Sequence, residues 1–131
     1  MRLSDHHGLA QPSDPPESKQ SYFNPYLQHN GKQEASTGYC TDVFTDAALN
    51  FIDAHRREPF FTYFATNALH RPLQVDARYV ERFTKAGLDE PTARVYAMIA
   101  NLDDNVGRLL QRLEERKLDR DTIVIFMTDN G

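Results

Sequence analysis

Tryptophan is absent from the 131 residues, and cysteine occurs once, at Cys40. A single thiol excludes an internal disulfide framework and leaves the compartment open. A basic excess is missing too: 15 Lys and Arg stand against 19 Asp and Glu, for a net charge of −4. No Lys/Arg stripe is present, so a phosphate-tracking nucleic-acid surface is not expected. The longest apolar runs, Phe60–Ala65 and Ile123–Met127, are far too short to span a bilayer as helices. Met1–Pro16 is polar and holds no apolar signal-peptide core. What remains is ordinary globular composition, 40% hydrophobic and 26% charged.

The chain divides into zones. Residues 1–40 are rich in Pro, Ser, Asn and Gly and read as an irregular, loop-rich segment, with Asn30-Gly31 predicting a tight turn and a short hairpin. So long a loop is unusual in a compact domain and implies support from protein outside this sequence. Residues 41–131 read as part of an α/β domain. Thr41 or Asp42 can cap a helix whose apolar pairs Val43/Phe44, Ala47/Ala48 and Phe51/Ile52 recur every four residues, until Pro59 stops it. The run 60–66 is continuously bulky, as in a strand covered on both faces. A loop with His70 and Pro72 follows, then a short helix near Ala77–Lys85.

Val95, Met98, Ile99, Leu102, Val106, Leu109, Leu110 and Leu113 predict one stripe of a long amphipathic helix with Pro91 near its start. Asp104 and Arg108 are spaced for a surface pair on its other face, beside a solvated Asp103-Asp104-Asn105 cluster, and Gly107 implies close packing. Residues 122–127 then predict a second buried strand. Strand, helix and strand make a right-handed crossover with parallel strands. Ligands of such sheets sit beyond the carboxyl ends of the strands, which is where His70 and Asp129-Asn130 are expected to meet.

The carboxylate of Asp129 and the amide oxygen of Asn130 are hard donors suited to Ca²⁺ or Mg²⁺, although two side chains fall short of the six to eight oxygens calcium takes. Asp-Asn-Gly is equally good turn chemistry, so both readings stay open. His70 can meet a developing negative charge or handle a proton; alternatively its ring bonds loop backbone. Cys40, followed by Thr41-Asp42, has no partner base in sequence and reads as structural.

The order and spacing of several segments resemble the sulfatase family. They are Gly38-Tyr39-Cys40-Thr41-Asp42-Val43-Phe44-Thr45-Asp46, Pro59-Phe60-Phe61, Ala68-Leu69-His70-Arg71-Pro72-Leu73, Leu102-Asp103-Asp104-Asn105-Val106-Gly107 and Ile123–Gly131. The resemblance implies a partial alkaline-phosphatase-like α/β fold and hydrolysis of sulfate esters, of small molecules or glycans, with a divalent metal, usually Ca²⁺. It implies that Asp129 and Asn130 are metal ligands and that His70 contacts the sulfate. It also implies a formylglycine nucleophile, made within a Cys/Ser-x-Pro-x-Arg segment that these residues do not contain. An internal piece of a longer enzyme, inactive alone, is the expectation. The alternatives are a phosphate or phosphonate ester hydrolase of the same superfamily, and a non-catalytic interaction domain.

Overall fold

Asn30 and Gly31 both take positive φ, 51° and 84°, the backbone of the two-residue turn whose twist matches paired strands. In the computed structural model, which describes residues 3–4 and 21–128, that turn joins β2 (Tyr26–His29) to β3 (Lys32–Ala35) in antiparallel register, Leu27 opposite Glu34. A two-residue strand, β1 (Leu3–Ser4), pairs with the other edge of β2. The predicted hairpin is therefore present, inside the segment expected to be irregular.

Helix α1 runs from Cys40 to His55, starting two or three residues earlier than a Thr41 or Asp42 cap would place it. Tyr39 holds the cap position without a side-chain bond to the helix it starts. Thr41 lies fully buried in the first turn, while the Asp42 carboxylate accepts from Asn101 and Asn105 instead of from its own helix. Helix α2 (Ala77–Lys85) is capped by Asp76, whose carboxylate accepts from the Arg78 amide at 2.9 Å. Helix α3 (Glu90–Glu115) opens with Asp89 accepting from the Thr92 amide and with Pro91 in its first turn, where a missing N–H costs nothing. No helix among the described residues is long and apolar enough to cross a membrane.

The buried face of α3 differs from the predicted stripe. Met98 and Leu113 are buried as expected, but the rest of that face is small and polar: Ala93, Ala97, Ala100, Asn101 and Asn105. Small side chains let α3 approach its neighbours closely. A ladder of polar contacts then joins it to α1: Asp42 with Asn101 and Asn105, Asp46 with Arg108, and Asp53 with Arg112 and Arg116. Numbers rise together on both sides, so the two helices run side by side in the same direction. The Asp104–Arg108 pair is thereby replaced. Arg108 reaches Asp46 and Asn105, and Asp104 accepts from the Tyr79 hydroxyl at 2.7 Å. Gly107 is exposed, with open space where a Cβ would stand, so packing is not its reason.

The two expected strands are the main correction. Among the described residues neither 60–66 nor 122–127 forms a strand, and no parallel ladder is present. Residues 60–66 do alternate, with Phe60, Thr62 and Phe64 half-buried while Phe61 and Tyr63 are 84% and 81% exposed. One face lies against Phe44, Ala47, Ala48 and Phe51 of α1; the other faces solvent. Phe60 meets Phe51 edge-on, and Phe64 packs on the cluster around Cys40 and Phe44. The segment therefore runs opposite to α1. In residues 122–127, Ile123, Ile125 and Met127 are likewise exposed. An extended segment becomes a strand only when a neighbour takes its backbone hydrogen bonds, and no described segment does so here.

Candidate functional site

Because 60–66 returns antiparallel to α1, its carboxyl end delivers the following loop to the amino-terminal end of that helix. His70 sits in this loop, exposed, with its amide bonded to the Asn67 carbonyl at 3.1 Å. Leu69 takes a positive φ of 77°, which turns the chain sharply just before the histidine. The His70 ring is oriented by backbone: Nδ1 lies 2.7 Å from the Arg71 carbonyl oxygen. A carbonyl only accepts, so Nδ1 carries the proton and donates. In the neutral ring the lone pair is then on Nε2.

The loop is held from beneath by residues far away in sequence. Tyr22, 2% exposed, points its hydroxyl at the His70 and Arg71 carbonyls, at 3.2 and 3.0 Å. Its own amide donates to the Gln74 side chain at 2.8 Å. Tyr39 donates to the Gln74 carbonyl at 2.8 Å, and burial pushes its phenol well above the ordinary value. Arg94, in the first turns of α3, reaches the Leu73 carbonyl at 3.4 Å. The amino-terminal ends of α1 and α3 thus gather at the His70 end of the molecule. Helix starts carry partial positive charge, which favours an anion there. Beside His70, the Asn67 side-chain amide is buried with neither oxygen nor nitrogen partnered among the described residues.

Asp129 and Asn130 lie outside the described residues. Their oxygens suit a hard divalent cation in kind and supply part of the number it takes. No group of three or more His, Cys, Asp and Glu side chains that could hold a metal ion occurs among the described residues. Cys40 is fully buried at the start of α1, in keeping with a structural thiol. His55 bonds the Phe51 carbonyl, and His29 pairs with Glu34. Sequence reasoning missed Tyr22 and Gln74 under the loop, and Asn101 and Asn105 beneath α1. Buried polar side chains in otherwise apolar register were the available signal for the two asparagines; Tyr22 gave none.

Comparison with known proteins bears on this arrangement directly. Residues 5–131 match the family described as Sulfatase. The uncharacterized sulfatase YdeN of Escherichia coli K12 is 31% identical over 116 residues, covering 85% of this chain and 20% of that protein. The N-acetylgalactosamine-6-O-sulfatase of Bacteroides thetaiotaomicron is 34% identical over 69% of this chain and 16% of its own length. Among solved structures, Ps i-CgsB in complex with k-i-k-neocarrahexaose superposes with a TM-score of 0.66 at 33% identity, over 71% of this chain and 21% of that one. The chain thus spans about a fifth of the length of these relatives. The match to the Sulfatase family over residues 5–131, together with these relatives, shows that this chain belongs to the sulfatase family.

Proposed function

We propose that this chain is part of an enzyme that hydrolyses sulfate esters, and that His70 contacts the sulfate group. The observation that carries the reading is His70 itself: exposed, fixed through Nδ1, and carried on a loop that Tyr39 and Arg94 tie to the first turns of α1 and α3. With Nδ1–H committed to Arg71, protonation at Nε2 adds a second N–H donor and a positive charge, both suited to a sulfate oxygen. The orphaned Asn67 amide supports a loop whose polar surroundings extend past the described residues, since buried amides are nearly always partnered.

Asp129 and Asn130 are the residues that would hold a Ca²⁺, or Mg²⁺, through their side-chain oxygens. When bound, such a cation offsets negative charge building on the sulfate oxygens. The parallel course of α1 and α3 fits crossover helices laid on a parallel sheet. Exposed Phe61, Tyr63, Ile123 and Ile125 would be covered by neighbouring strands of a longer chain. Sulfated glycans and small sulfate esters both fit this chemistry. N-acetylgalactosamine sulfatases among the relatives favour a glycan.

The test is His70→Ala in a full-length sulfatase carrying this segment. Loss of a donor aimed at developing charge is expected to lower kcat/KM toward an aryl sulfate by about 10²–10³-fold with the melting temperature unchanged. Retained kcat/KM removes His70 from the site. A parallel assay with a phosphate monoester separates the two ester classes, because preferential phosphate turnover would replace the sulfatase reading.

A further inference from the structure

The His70 ring owes its orientation to a backbone carbonyl, so whatever fixes that carbonyl also fixes the ring. The Arg71 carbonyl oxygen receives two donors: His70 Nδ1–H at 2.7 Å and the Tyr22 hydroxyl at 3.0 Å. Tyr22 also reaches the His70 carbonyl at 3.2 Å, so one phenolic proton lies between the two consecutive carbonyls that flank the turn. The phenol is anchored at every other point. Its ring is 2% exposed and packs edge-on against Tyr39, with centroids 6.4 Å apart, and its backbone is tied to Gln74 and to the Cys40 amide. These contacts link the segment before β2 and the start of α1 to a loop that begins 48 residues after Tyr22.

From this geometry we propose that Tyr22 is a positioning residue for His70: by holding the Arg71 carbonyl it keeps the imidazole in the Nδ1–H tautomer. The inference deepens the sulfate-contact reading and rests on it for its functional meaning. Neutral imidazole in water favours the other tautomer, with the proton on Nε2. A carbonyl held in line with Nδ1 reverses that preference, and it does so only while it stays in place. In the reversed form Nε2 takes the proton that protonated His70 would present to an anion. Loss of the Tyr22 hydroxyl frees the carbonyl to rotate, and the ring returns toward its solution preference.

Long-range ¹H–¹⁵N correlation spectra of the 131-residue chain, at a pH where the ring is neutral, read the tautomer directly. The native chain is expected to show a pyrrole-like Nδ1 and a pyridine-like Nε2 at His70. Tyr22→Phe is expected to raise the Nε2–H population at least two-fold. The control is Tyr39→Phe, which breaks the neighbouring bond to Gln74 in the same cluster and should leave the tautomer unchanged. A native ring mainly in the Nε2–H form overturns the proposal, as does a folded Tyr22→Phe with an unaltered ratio. An equal change in Tyr39→Phe, the mark of general loosening, overturns it as well. If Tyr22→Phe does not fold, the native spectrum decides alone: Nδ1–H upholds the proposal and Nε2–H sinks it. The fate of the sulfate reading is separate. It fails if His70→Ala in a full-length sulfatase leaves kcat/KM unchanged, whichever tautomer the ring holds.

Discussion

At the scale of single residues, neighbours on one helix carry opposite expectations. Asn105 is 2% exposed and donates to Asp42 at 2.7 Å while accepting from Arg108 at 2.8 Å. Asn105→Ala removes a partner from both and leaves Asp42 leaning on Asn101 alone, so it is expected to destabilise the chain by about 1–3 kcal/mol. Gly107, two residues on, has open space at its Cβ position and lies inside a helix. Gly107→Ala is expected to stabilise by about 1 kcal/mol through helix propensity. Chemical denaturation of both variants checks the pair, and a destabilising Gly107→Ala would show that something crowds that face after all. In the hairpin turn Gly31 also has room, but its φ of 84° disfavours any side chain. Space decides at Gly107, and backbone at Gly31.

At the scale of elements, the α1–α3 contact depends on charge. Hydrogen bonding from Arg116, helped by the positive charge of Arg112 and Arg116, holds the Asp53 carboxyl below its usual value. A depressed carboxylate contributes stability that is complete above its unfolded value, near 3.9, and that falls as pH drops through the folded one. Asp53→Asn is therefore expected to flatten the loss of melting temperature below about pH 4. At the alkaline end the sign reverses. Burial raises the Tyr39 phenol, so its contribution is complete below about pH 10 and is lost as pH climbs from there toward the raised value. Tyr39→Phe is expected to lessen that alkaline fall; a melting curve just as steep above pH 10 would assign it to other groups. The element bounds themselves were largely legible. The short segment Ala77–Lys85 marks α2, periodicity and Pro91 mark α3, and Asn30-Gly31 marks the hairpin. The face α3 buries was not, because Ala and Asn close the gap to α1 while only Met98 and Leu113 of the predicted stripe are buried and Ile99 and Leu110 stay exposed.

For the whole molecule, the open surface is the governing fact. Phe61, Tyr63, Ile123 and Ile125 are each more than three-quarters exposed, and no strand among the described residues covers either segment. Exposed faces of this sort promote association. Ile123→Ser and Ile125→Ser are expected to reduce concentration-dependent self-association, seen by sedimentation, without lowering the melting temperature of the chain. In a full-length sulfatase, where neighbouring strands are proposed to cover them, each should instead cost about 2–5 kcal/mol. Equal effects in both settings would argue that these residues stay uncovered in the longer protein. The metal-loaded 131-residue chain is expected to show no hydrolysis of an aryl sulfate, and measurable turnover would contradict the reading of it as one part of an active site.

Sequence alone determined the hairpin turn, the long helix and the family, because each depends on residues near one another or on their order along the chain. It also marked His70 as the loop residue with useful chemistry. The tertiary structure decided which way the His70 ring is held, since that depends on a tyrosine 48 positions away donating to the loop backbone. It decided as well that α1 and α3 run in parallel through an aspartate–asparagine–arginine ladder. Periodicity can say that a segment is extended, but a strand exists only where a second backbone completes its hydrogen bonds. That second backbone is a property of the fold, which no local pattern encodes.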